Sequence, residues 1–156
     1  MKTSYLLPHK YKPLGWVLFV IGIISGLIIF IAQYEYDILK VNVLSIYGRD
    51  ALFGEPGFFK IIENSILDEI IALCIIIGGL LVGFSMERVE DEFIYKLRKD
   101  SLVWAIIFNY IVLIFAILFI YNFTFFDVLV FNMFTPLLFF VFRFNFLKFR
   151  SSYNEE

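Results

Sequence analysis

The sequence predicts an all-α membrane protein that crosses the bilayer four times, and three observations carry that expectation. The first is composition. Of 156 residues, 61% are hydrophobic and 21% aromatic, whereas an ordinary soluble domain is about 45–50% apolar. A soluble fold of this size has too much surface for its volume to hide that surplus in one core. The second is that the apolar residues fall into four runs of near-spanning length. Backbone in lipid must satisfy its own polar groups, so such runs are read as helices. The third is that Lys and Arg collect on the side to which alternating spans return.

The first helix is placed at residues 14–33. Its uncharged run nearly covers a ~30 Å hydrocarbon core at ~1.5 Å per residue. Lys2, Lys10 and Lys12 precede it, as they would a secretory leader. The run is long for a leader's apolar segment, and Phe30 and Ala32 make a poor small-x-small cleavage site, so it reads as a retained anchor. The second helix is placed at 66–86. Ser65 and Asp68 form an S-x-x-D capping pattern, with Asp68 and Glu69 near its positive end. The third occupies 101–121. The fourth, at 124–147, opens with the same pattern in Thr124 and Asp127, leaving Asn122 and Phe123 as a tight turn. A tail follows at 148–156.

Orientation follows from the basic residues. Lys2, Lys10, Lys12, Arg88, Lys96, Arg98, Lys99, Lys148 and Arg150 fall on one side, against Lys40, Arg49 and Lys60 on the other. Both termini are therefore expected in the cytoplasm.

The outer loop, 34–64, is too long for a simple link. Residues 40–47 alternate as a half-buried strand does, and 58–63 are suited to pair with them across Gly48, Gly54, Pro56 and Gly57 as a small β-hairpin. This loop and the start of the second helix carry Glu35, Asp37, Asp50, Glu55, Glu63, Asp68 and Glu69. Such acids can gather a divalent cation, but solvated charges and helix capping are the favoured reading. The inner connection, 87–100, has neither Gly nor Pro and is rich in helix formers, which predicts a helix. Glu92 and Lys96 form an i,i+4 pair. Phe93, Ile94 and Leu97 form an apolar stripe suited to the membrane surface. Glu87, Glu90 and Asp91 share a face, and with Glu92 and Arg98 they make the candidate docking site for a partner.

Inside the spans, Gly22-x-x-x-Gly26 and Gly79-x-x-x-Gly83 are expected to bring helices one and two together, with homodimerisation as the rival use. Ala105, Asn109 and Ala116 fall on one side of the third span. In the fourth, Pro136 removes the donor to the carbonyl of Asn132, predicting a kink. Asn132 and Thr135 are placed to fill that gap or to bond Asn109. Arg143, the one basic residue within a span, needs a partner or an escape to the headgroups. Glu87, Glu90 and Asp91 are its expected partners.

Cys74 is the single cysteine and His9 the single histidine, which leaves little material for disulfides, zinc or a serine–histidine triad. No catalytic, cofactor or metal residue is assigned, and no basic tract suggests nucleic acid. The run Glu90–Arg98 followed by Ser101-Leu-Val-Trp-Ala105, with Asn132-Met-Phe-Thr135 and Arg143-Phe-Asn145, resembles a group of small four-helix integral membrane proteins of Bacteroidetes. That resemblance spans most of the chain and implies a protein of a bacterial inner membrane without bringing an activity. The acidic-then-basic inner segment is also similar to that of small membrane proteins encoded beside Cro-type helix-turn-helix regulators, which implies a regulator as partner. The expected function is a non-enzymatic regulatory, sensory or scaffold subunit, with the bilayer and a protein partner or further copies around it. The alternative is a transporter or channel component working as an oligomer, motivated by the glycine faces, Pro136, Asn109 and Asn132.

Overall fold

The computed structural model describes residues 6–32, 40–49 and 56–153. A 3-10 turn at His9–Tyr11 leads into α1 (Lys12–Ala32). Strands β1 (Lys40–Arg49) and β2 (Pro56–Ser65) follow, then α2 (Leu67–Phe84), α3 (Glu92–Phe119) and α4 (Phe123–Tyr153). All four α-helices are long and apolar enough to cross a membrane. Large apolar side chains such as Ile31, Phe119 and Phe142 are more than two-thirds exposed. Exposed apolar surface on this scale is what a lipid-facing belt looks like and a soluble monomer avoids.

The helices pack in the order α1, α2, α4, α3. Both termini of the described chain and the α2–α3 connection lie at one end of the bundle, called here the termini end; the β-hairpin lies at the other. The core sits toward the termini end, where Phe19, Val82, Ala105, Phe140, Val141 and Phe144 are buried. Phe108 of α3 stacks on Phe139 of α4 with ring centroids 4.4 Å apart. Toward the hairpin end, α1, α2 and α4 separate around an apolar cleft of about 790 Å³, with Asp68 and Glu69 at its mouth.

Glycines set the approach of the helices, by a different assignment from the expected one. A Cβ on Gly78 of α2 would lie 2.5 Å from the Phe19 backbone nitrogen, and one on Gly22 would lie 2.8 Å from Ile75. Gly15 is equally tight against Leu81, so α1 and α2 meet through Gly15, Gly22 and Gly78. Gly83 faces α4 instead, receiving Phe140, and Gly79 lies between the two helices, receiving Leu137 of α4 and, at 3.0 Å, the Phe19 ring of α1. Gly26 is looser, its nearest contact being Ile71 at 3.5 Å.

The hairpin expected in the outer loop is present. It is antiparallel, in a register from Lys40 opposite Ser65 to Arg49 opposite Pro56. Tyr47 and Phe58 pair across it with ring centroids 5.0 Å apart. Leu44, Ile46, Phe59 and Ile61 stand exposed on the opposite face. Phe59 takes a positive φ of 54°, a left-handed conformation costly for a bulky side chain, at the point where its pairing with Ile46 lapses.

Three local expectations fail. Ser65 is used in the β ladder, so α2 begins at Leu67 after Ile66, with no side-chain cap. Thr124 lies inside α4, which already starts at Phe123, after Asn122 has turned the chain with φ 63°. The inner connection is not one helix: residues 86–91 are irregular, and the remainder of 87–100 is the first part of α3. Two acids explain the break. The Glu87 N–H donates to the Glu90 carboxylate (2.8 Å), and the Ile94 N–H donates to Asp91 (2.8 Å). Short acidic side chains that bond nearby N–H groups compete with helix and start a new one as N-cap.

Candidate functional site

At the termini end, α2 stops at Phe84, and carbonyls beyond its last turn need donors from elsewhere. The Leu7 N–H bonds the Phe84 carbonyl (2.9 Å), and the Met86 N–H returns a bond to the Leu7 carbonyl (2.8 Å). Arg98 donates to the Ser85 carbonyl (3.3 Å), and His9 donates from Nδ1 to that of Met86 (2.8 Å). Three consecutive carbonyls are thus satisfied by the N-terminal segment and by α3. Chain pieces far apart in sequence are pinned to one short strip of backbone.

Around that strip lies a buried ion network. Glu87, 8% exposed, accepts from Lys12 of α1, itself 6% exposed, and from Lys148 of α4 at 2.7 Å. Glu90 accepts both guanidinium arms of Arg98, which is 3% exposed. Beneath them is the ring of Phe144, wholly buried, with Lys12 5.7 Å and Arg98 5.0 Å from its centroid. A ring face between two partly desolvated cations is attractive to both. The negative end of the α2 dipole adds to the field that holds these cations. Burial acts to raise the Glu87 carboxyl, but the hydrogen bonds and charges of Lys12 and Lys148 outweigh it and hold the group below the ordinary carboxylate value.

The residues singled out from sequence are therefore divided. Glu87, Glu90 and Arg98 come together, but inward: Arg98 pairs with Glu90, which also accepts the Glu87 N–H, and the Glu87 carboxylate pairs with Lys12 and Lys148. Asp91 is spent on capping α3. Glu92 remains exposed, beside Arg88, Val89 at 75% and Phe93 at 51% exposure. A cleft of about 640 Å³ opens between this projecting edge and α1, with Lys12, Trp16, Glu87, Val89 and Lys148 among its walls.

Arg143 does not reach Glu87, Glu90 or Asp91. Those acids are taken, and its guanidinium lies over Trp104, 5.4 Å from the ring centroid. Asn109 and Asn132 do not bond each other, for the side-chain oxygen of each is buried without a hydrogen-bond partner. The register of α3 on α4 explains it. Phe108 faces Phe139 and Trp104 faces Arg143, so the two amides sit about six residues, roughly 9 Å, apart in depth. Thr135 bonds the Phe131 carbonyl of its own helix at 3.3 Å. Of the outer acids, Glu35, Asp37, Asp50 and Glu55 lie outside the described residues. Among the described residues no three His, Cys, Asp or Glu side chains gather as metal ligands.

Sequence reasoning missed Lys12 and Lys148 as partners of Glu87. The available signal was topological: with four spans, Lys12, Glu87, Arg98 and Lys148 all fall at the same end. Comparison with protein-family models, with curated proteins and with solved structures gives no match. The fold itself defines the class, a multi-pass helical membrane protein with four candidate spans.

Proposed function

We propose that this chain is a non-enzymatic scaffold or regulatory subunit of a bacterial inner membrane, with both termini in the cytoplasm, that engages a protein partner through the edge formed by Arg88, Val89, Glu92 and Phe93. The observation that carries this reading is the contrast between the two sides of residues 86–92. One side is locked by the Glu87 and Glu90 ion pairs; the other presents Val89 and Phe93 to solvent between charged neighbours. An edge held rigid before contact loses little conformational entropy on binding. The excess of Lys and Arg at this end supports the cytoplasmic placement.

The test is photo-crosslinking in cells from an unnatural side chain at Val89, with one at the exposed Val103 of α3 as a lipid-facing control. The reading expects a protein adduct of discrete mass at Val89 alone, lost on Arg88→Glu. Identical patterns at the two positions would refute it.

A further inference from the structure

We propose that Arg143, backed by Trp104, binds the phosphate of a phospholipid in the leaflet at the termini end, with anionic headgroups preferred. Arg143 lies within α4, five residues before Lys148 and so about 7.5 Å deeper along the axis. A guanidinium does not lose its proton in proteins, and a charge at this depth requires a counter-ion. Among the described residues none is supplied. Arg143 makes no ion pair, its Nε is buried without a hydrogen-bond partner, and Glu87 and Glu90 are occupied by Lys12, Lys148 and Arg98. On this proposal the counter-ion comes from the lipid that surrounds α3 and α4.

The surroundings say which kind. Trp104 is 52% exposed on the outer surface of α3, so the stacked pair faces lipid and not the bundle interior. The planar fork of a guanidinium matches two phosphate oxygens, and a ring behind it fixes the plane of the fork. Arg150 follows two turns later on the same face of α4, at headgroup level. Around the rim at this end, the exposed charges among the described residues are Lys10, Arg88, Lys96, Lys99 and Arg150 against Asp91, Glu92 and Asp100. The rim is net positive, which favours anionic over zwitterionic lipid.

The experiment is native mass spectrometry of the full chain in a neutral detergent, offered phosphatidylglycerol, phosphatidylcholine or inorganic phosphate. The wild type is expected to retain phosphatidylglycerol roughly fivefold more than phosphatidylcholine, whose choline cancels the phosphate charge, a difference on the scale of one basic residue at an anionic surface. Inorganic phosphate should not displace it. Arg143→Gln should abolish the preference and Trp104→Leu weaken it, with helix content by circular dichroism unchanged. Equal retention of the two lipids by the wild type, or unchanged preference in Arg143→Gln, overturns the proposal. So does displacement by inorganic phosphate, which would make the site one for a free anion. A lipid-free dimer that alone shields Arg143 from arginine-modifying reagent would assign the counter-ion to a protein carboxylate instead. Should Arg143→Gln not fold, the two-lipid comparison on the wild type and on Trp104→Leu still decides.

Discussion

Replacing Glu87 with alanine removes the carboxylate that two lysines share, and the structure predicts very unequal consequences for them. Lys148 has a side chain 35% exposed and can turn to water. Lys12, at 8%, cannot, and would be left as a buried charge without a partner. Breaking a buried pair from one side costs about 3–5 kcal/mol, while losing a half-exposed pair costs about 0–1 kcal/mol. Glu87→Ala is therefore expected to destabilise by roughly 3–5 kcal/mol and Lys148→Ala by no more than roughly 1 kcal/mol. Replacing both buried partners, Lys12→Met with Glu87→Leu, should recover most of the loss, since the uncompensated charge is gone. The assay is unfolding in mixed micelles by increasing dodecyl sulfate, followed by circular dichroism. Equal losses in Glu87→Ala and Lys148→Ala would refute the reasoning, as would a double variant weaker than Glu87→Ala alone.

The remaining predictions use the same assay unless stated. Because the folded Glu87 carboxyl lies below its ordinary value of 4.5, its stabilising contribution is complete above that pH and is lost as pH falls through the folded value; Glu87→Gln should flatten that acid limb. Gly78→Ala places a Cβ against Phe19 backbone and should cost about 1–3 kcal/mol, whereas Gly26→Ala meets only ordinary contact and should stay within about 0.5 kcal/mol. Asp91→Ala deletes the cap of α3 and should cost about 1 kcal/mol, with Asp91→Asn nearly neutral. With Cys74 replaced by Ser, cysteines at Tyr11 and Phe149 should react with an impermeant thiol reagent only after the inner face is opened; labelling of either in intact cells would refute the proposed orientation.

The four helices and the hairpin were legible because each is written locally, as a run or an alternation of apolar residues. The site was not, because its bonds join positions 75 and 61 residues apart, Lys12 and Lys148 with Glu87. Nothing in the spacing of those residues marks them as neighbours. Arg143 was paired wrongly for the same reason: three cations compete for Glu87 and Glu90, and only geometry decides which two helices and which rotamers reach them. The capping patterns misled where a stronger neighbour intervened, the β ladder at Ser65 and the turn at Asn122. The glycine pairs were recognised as close-approach surfaces, yet α2 is flanked by α1 and α4. Of two adjacent positions, Gly78 packs on the α1 backbone, while Gly79 receives side chains from both α4 and α1.

Only Ile66 separates the last residue of β2 from the first of α2. With so short a joint, the hairpin has little room to swivel independently of the helix it leads into. α2 is a rod of 18 residues, about 27 Å long, and its far end carries the carbonyls that Leu7, Arg98 and His9 hold. A sideways load on the apolar hairpin therefore does not dissipate in a loose tether. It arrives at the termini end as tilt of a single lever, applied where α1, α3 and α4 are tied together.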